Sequence, residues 1–392
     1  IIYIILEVPM IKSRIAILLL CALLSLAGCA AYRDVPHDVG KNAYPVEAYR
    51  TTMQYYDDFK ILQIADLHLG IETDVAYQLG IVKDTIRREQ PDLIILTGDN
   101  FMYASKGVVK SLVSTLNEEC ARLSAERDGR LTKFTLTFGN HDNQGDYPRY
   151  YINEVIASYV TTDGNEIRDS KFAAFVDYED DNLFGLTNFY IDIVADRASS
   201  RDTADVKYRV HIIDSNTYHF MGPDYDYDVM HDEQLTHAQS IYREATADKD
   251  YIGMAFFHIP LYEYQDAYDQ FLASDHSAAN GQGEYREDVL YGYENNDSYQ
   301  MLRAANIVAY FCGHDHINYG DIIFNASSQE VADRAIFCYG VKSTNQLYHD
   351  TDMIGYKTVT LRDVTLDEFV SMDYVSANFK NYTGGYSNYE ND

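Results

Sequence analysis

Five times between residues 59 and 316 an apolar run stops at a cluster drawn from Asp, Asn, Gly and His, and this repetition constrains the fold more than any other feature. Phe59-Lys60-Ile61-Leu62-Gln63-Ile64-Ala65 runs into Asp66-Leu67-His68, and Leu93-Ile94-Ile95-Leu96 runs into Gly98-Asp99. Phe134-Thr135-Leu136-Thr137-Phe138 meets Gly139-Asn140-His141-Asp142, Ile252 to Phe257 ends at His258, and Ile307 to Cys312 ends at Gly313-His314-Asp315-His316. Short apolar runs bounded by such punctuation read as buried strands. Helical periodicity over 74–89 and 107–126, the first stopped by Pro91, separates the first three. The opening is therefore β-α-β-α-β, which favours a sheet covered by helices. In open α/β sheets, sites form beyond the carboxyl ends of the strands. All five clusters lie at that end.

The middle of the chain changes style. Alternation over 171–177, 187–194 and 207–213, clearest in Lys207-Tyr208-Arg209-Val210-His211-Ile212-Ile213, predicts half-buried antiparallel strands. A helix is expected at 231–247 and strands near 334–339, 356–361 and 367–372. Residues 263–297 are polar and strongly acidic, with Arg286 opposing them, and are expected to form a long loop, a lid or an insertion. There is no internal repeat.

Residues 1–28 read as an export signal. Met10 is the expected start, Lys12 and Arg14 supply the positive region, Ile15 to Leu26 is a short apolar core, and Leu26-Ala27-Gly28-Cys29 closes it. Such a core is too short to span hydrocarbon, which takes about 20 residues. The ending resembles the lipobox of bacterial lipoproteins. The resemblance implies cleavage before Cys29, a lipid on that cysteine and anchorage to the outer face of a bacterial membrane; an ordinary cleavable signal or a buried hairpin is the alternative. Residues 29–57 then form a tether, 58–375 the folded body and 376–392 a polar tail. Of five cysteines, Cys120, Cys312 and Cys338 belong to the body, an odd number that leaves at least one unpaired. A Cys312–Cys338 disulfide and two buried thiols both stay open.

A formal net charge of −30 argues against a nucleic-acid partner and against a polybasic membrane binder, because both need a basic face. It does not argue against a small phosphorylated substrate, since bound cations reverse the local field. Nothing in the sequence names a protein partner.

The clusters supply carboxylate, imidazole and amide-oxygen donors, which suit borderline metals such as Mn, Fe, Zn or Co. Asp66, His68, Asp99, Asn140, His258, His314 and His316 exceed the need of one tetrahedral ion and suit two ions about 3.5–4 Å apart. In their order, D-x-H, G-D, G-N-H-D, H and G-H-D-H, they resemble the calcineurin-like metallophosphoesterases, in the branch called purple-acid-phosphatase-like. Phe257-His258-Ile259-Pro260-Leu261 and Phe337-Cys338-Tyr339-Gly340 support the likeness, which covers about residues 59–361. It implies an α/β class fold, an α/β/β/α sandwich of two mixed sheets flanked by helices. It also implies that Asp66, His68 and His316 bind one metal, Asn140, His258 and His314 the other, and that Asp99 bridges them. A bridging hydroxide would attack phosphorus; His141 would bind phosphate and protonate the leaving oxygen, oriented by Asp142. True purple acid phosphatases carry a metal-binding Tyr where Met102 stands and lack the histidine found here at position 68, so a tyrosinate–iron centre is argued against. Asp315 reads as a turn residue, and His211, His219, His231, His237 and His276 match no motif.

The expected function is hydrolysis of a small phosphomonoester or nucleotide, with a phosphodiesterase using the same site as the alternative. A non-catalytic surface binding protein on the same fold, and a module regulated through residues 263–297, are rivals.

Overall fold

The computed structural model describes residues 44–70, 74–145, 147–160, 171–178, 180, 182–195, 205–244 and 250–383. The expected signal, the lipobox with Cys29, the first part of the tether and the end of the tail lie outside the described residues.

In chain order, β1 (Arg50–Gln54) and β2 (Phe59–Ile64) lead to a two-residue strand β3 (Leu69–Gly70) and helix α1 (Val75–Glu89). β4 (Leu93–Thr97), β5 (Phe101–Met102), α2 (Lys106–Glu126), β6 (Lys133–Thr137) and α3 (Arg149–Ala157) complete the first half. The second half runs β7 (Phe189–Val194), β8 (Val206–Ile212), β9 (Tyr218–Met221), β10 (Asp224–Tyr227), α4 (Asp232–Glu244), β11 (Ile252–Phe256), α5 (Glu263–Ala273), β12 (Gly281–Tyr285) and α6 (Ser298–Ala304). It ends with β13 (Ile307–Cys312), β14 (Asn318–Phe324), β15 (Ala335–Tyr339), β16 (Gly355–Leu361), α7 (Leu366–Phe369), α8 (Met372–Asn378) and β17 (Phe379–Thr383).

These strands make two large mixed sheets flanked by helices, with orders β1-β7-β8-β11-β13-β15-β14-β12 and β17-β16-β2-β4-β6. Within them β2, β4 and β6 run parallel, as do β8, β11, β13 and β15. Strands such as Leu93–Thr97 and Ile307–Cys312 are buried throughout, which is why they read as unbroken apolar runs. The carboxyl ends of both parallel groups converge. Gln63 ties the sheets together from inside, donating to Thr97 Oγ1 at 3.1 Å and to the Cys312 carbonyl at 2.9 Å. Among the described residues no helix is long and apolar enough to cross a membrane.

Several expectations give way. Residues 46–54, assigned to the tether, form a 3-10 turn and then β1, which pairs parallel with β7 at the edge of the larger sheet. Residues 171–177 contribute only two isolated bridges at Ala173, to Phe134 and to Val160. Strands β7 and β8 are antiparallel as expected but buried on both faces, because helices cover the sheet on one side and the second sheet on the other. The span 367–372 belongs to α7 and α8, with Thr365 capping α7 through a capping box. Residues 376–383 are not tail: α8 continues to Asn378, and β17 pairs with β16. The acidic stretch 263–297 is neither lid nor insertion at its start, since α5 packs its apolar side into the core and β12 pairs with β14. Cys120, Cys312 and Cys338 are free, buried thiols.

Candidate metal centre

Each candidate ligand sits two to four residues past a buried strand. The turn that carries it is unusually tight. Asp66, His68, Asp99 and His314 all have positive φ, at 57°, 48°, 47° and 81°. Left-handed backbone at non-glycine residues costs free energy, and such strain collects where side-chain placement matters. Two glycines make the crowding possible. At Gly98, with φ of 89°, an added Cβ would lie 2.5 Å from His258 Nδ1; at Gly139 it would lie 2.3 Å from Asp99 Oδ1.

The result is one buried cluster. Ligand atoms of Asp66, His68 and His316 lie within 4.8 Å of one another, as do those of Asp99, His258 and His314, and those of His68, Asp99 and His141. Asp99 stands at the centre. Its Oδ2 is 3.3 Å from His68 Nε2 and 3.2 Å from His258 Nε2, while Oδ1 accepts from the His141 backbone N–H at 2.8 Å. Asp66 Oδ1 is 3.7 Å from His316 Nε2, and its carboxylate accepts from the His314 backbone N–H. Asn140 Oδ1 lies 3.2 Å from His258 Nε2. The structure therefore brings together every residue singled out for the centre.

The donor set fits cations. The Nδ1 atoms of His68, His258 and His316 face the carbonyls of Asp66, Thr97 and Tyr348 at 3.1, 2.9 and 2.9 Å. A backbone carbonyl only accepts, so Nδ1 of His258 and His316 carries a proton, and the Nε2 atoms of all three rings face the Asp99 and Asp66 carboxylates. His314 is turned the other way, with Nδ1 inward, 3.2 Å from His258 Nε2; its Nε2 is buried without a hydrogen-bond partner among the described residues. Lone pairs and two carboxylates converging at these distances repel unless a proton or a cation lies between them. The electrostatics show the same tension. Burial pushes the Asp66 carboxyl up to about 6 and the His68 imidazole down to about 4. Burial also opposes charge on His258, but the Asp99 carboxylate overrides it and lifts the imidazole to about 9.

His141 and Asp142 divide their work differently from the expectation. The His141 ring stands 5.2 Å from that of His68, and its Nδ1 is buried with no partner among the described residues. Asp142 accepts from the Gly139 and Phe101 backbone N–H groups at 2.8 and 2.7 Å and from Asn100 Nδ2 at 3.1 Å. Its carboxylate thus clamps the turn after β6 to the turn after β4. It places the His141 backbone, with no hydrogen bond to the imidazole. Asp315, read from the sequence as a turn residue, is a buried anchor: it accepts from the Tyr339 hydroxyl and from Asn318 Nδ2. Residues 286–290 hold the same turn, with Glu287 accepting from the Ile317 N–H at 2.9 Å. None of His211, His219, His231, His237 or His276 joins these ligand groups.

Sequence reasoning missed Lys342. It is buried, donates from Nζ to the Asp66 carbonyl at 3.0 Å and lies 3.1 Å from His68 Nδ1. The signal was present: β15 is a sixth apolar run ending at Gly340, with Lys342 two residues on. Lys342→Ala removes the support behind two ligands and is expected to weaken metal binding about 10–100-fold, read by titration of metal-depleted protein. An unchanged affinity would reduce Lys342 to a packing residue.

The sequence profile of the calcineurin-like phosphoesterases matches residues 59–318. The chain belongs to that family. Among curated relatives, this calcineurin-like chain is 27% identical over 291 residues to phosphatase DCR2 of Saccharomyces cerevisiae, covering 70% of this chain and 47% of that protein, so it spans about half of DCR2. It is 25% identical over 301 residues to probable inactive purple acid phosphatase 29 of Arabidopsis thaliana, covering 70% of this chain and 71% of that one. A dimetal phosphatase from Danio rerio aligns with a TM-score of 0.41 at 12% identity, covering 79% of this chain and 94% of the other. Family membership and the clustered His and Asp side chains together suit a dinuclear metal centre.

Proposed function

We propose that this chain hydrolyses a small phosphate ester, a phosphomonoester or nucleotide, at a pair of metal ions held by Asp66, His68, His316, Asp99, Asn140, His258 and His314. The carrying observation is the convergence of the His68 and His258 imidazoles on the buried Asp99 Oδ2, with His68 shared with the group of Asp66 and His316. Two cations there supply Lewis acidity and a nucleophile at neutral pH. The protein's own part is placement. Asp99 belongs to two of the three groups, the one with His68 and the one with His258 and His314, and Asp66 is fixed from behind by the His314 N–H. The His141 imidazole, unpartnered at Nδ1, is available to hold the phosphoryl group and give a proton to the leaving oxygen. Asp142 keeps it there through the backbone.

We further propose that the enzyme works outside the cytoplasmic membrane on a lipid at Cys29, a reading supported by the sequence of residues 10–29 alone. A non-catalytic binding protein is the second reading, favoured by the name "probable inactive" on an Arabidopsis relative.

One experiment separates them. Metal-depleted protein is restored singly with Mn, Zn, Fe or Co, and hydrolysis of p-nitrophenyl phosphate is compared with that of the bis ester. His141→Ala is expected to keep its metal and to lose about 10²–10⁴ in turnover. Two bound ions with no turnover of either ester would shift the reading to a binding protein.

A further inference from the structure

The two-stranded ribbon β9–β10 stands apart from both sheets. Its register pairs Tyr218 with Tyr227 and Phe220 with Tyr225. Residues opposite one another in an antiparallel pair, and residues two apart along a strand, share a face. Tyr218, Phe220, Tyr225 and Tyr227 therefore cover one face with rings, while Asp224 and Asp226 share the other with His219 and Met221.

The inner rings touch the metal centre. The Tyr218 hydroxyl accepts from Asn140 Nδ2 at 2.7 Å, which turns Asn140 Oδ1 toward His258. The Tyr227 ring meets the His314 ring edge-to-face, with centroids 4.3 Å apart. The outer rings face water, Phe220 at 60% and Tyr225 at 65% exposure, and Tyr225 is continuous with Tyr218 at 5.3 Å between centroids. A short, isolated ribbon gains nothing for its own stability by holding such rings in solvent.

We infer that this face is the specificity wall of the centre, and that it stacks a flat aromatic ring borne by the ester, such as a nucleobase, while the phosphate sits at the metals. The inference rests on the phosphoesterase reading and deepens it. Aromatic faces accept any π-surface, so the wall selects for a ring without selecting which ring. The acidic side of the same ribbon repels additional phosphates, which favours an ester with a single phosphoryl group.

Adenosine 5′-monophosphate and ribose 5-phosphate share phosphate and leaving oxygen and differ in the base. The metal-loaded protein is expected to show a kcat/KM ratio, nucleotide over ribose ester, of roughly tenfold or more. In Phe220→Ser/Tyr225→Ser that ratio is expected to fall toward one. Each ratio is taken within one preparation, so a loss of folded protein cancels. A wild-type ratio near one, or a ratio unmoved in the double variant, overturns the wall and leaves the phosphoesterase standing. Hydrolysis of p-nitrophenyl phosphate, itself a ring-bearing ester, that is unmoved in the double variant while neither sugar ester is touched does the same. Failure of all three esters overturns both.

Discussion

Asp99→Asn is expected to lower turnover by on the order of 10³-fold and to reduce bound metal from two ions per chain to one or fewer. The size follows from the several kcal/mol of charge stabilisation that metal ions provide, each ~1.4 kcal/mol being tenfold in rate. Asp99 Oδ2 faces two imidazole nitrogens at 3.3 and 3.2 Å, and its other oxygen holds the His141 N–H. Asparagine preserves the shape and one acceptor, so the turn after β4 keeps its hydrogen bond. It removes the negative charge and presents an N–H₂ or a neutral oxygen to His68 and His258. Thermal unfolding should therefore change little while metal analysis and hydrolysis change together. Two ions retained with full turnover would remove Asp99 from the centre.

The second large effect is on stability. Asp192, on β7, is buried between Arg50 of β1 and Arg209 of β8. It accepts from Arg50 Nε at 2.7 Å, Arg209 Nε at 2.7 Å and Arg209 Nη2 at 3.0 Å. The Arg209 guanidinium is further sandwiched by Tyr190 and Tyr251, at 4.8 and 4.3 Å from the ring centres. Removing one member of a buried charged set leaves the others desolvated and uncompensated, at about 3–5 kcal/mol. Asp192→Ala is accordingly expected to lower the thermal midpoint by roughly 10 °C, followed by circular dichroism. A midpoint within about 2 °C of wild type would mean that water reaches the two guanidiniums and that the triad does not hold β1 to the sheet.

This triad also marks where sequence reading stops. Arg50 lies in a polar stretch with no run of apolar residues, so it reads as tether. Its strand is held by the parallel ladder to residues 190–194 and by an acid some 140 positions away, neither of which leaves a local mark. The span 367–372 failed for a related reason: a short amphipathic pattern suits strand or helix, and the Thr365 cap decides it. The acidic run 263–297 has a solvated composition, yet α5 buries Tyr264, Ala267 and Phe271 on one side, a helical spacing masked by its charges.

What the sequence determined by itself is the ligand chemistry and the strand ends that carry it. An apolar run buried on both faces has to stop abruptly where the chain turns, and donors clustered at each stop are legible without knowing the pairing. Tertiary structure alone decided the rest. It set which end of which sheet each stop faces, the inward turn of His314, the use of Asp142 as a backbone clamp, the placing of Lys342 behind His68, and the aromatic ribbon over His314. Those are contacts between residues tens to hundreds of positions apart. Their geometry comes from sheet order and register, which local sequence periodicity does not encode.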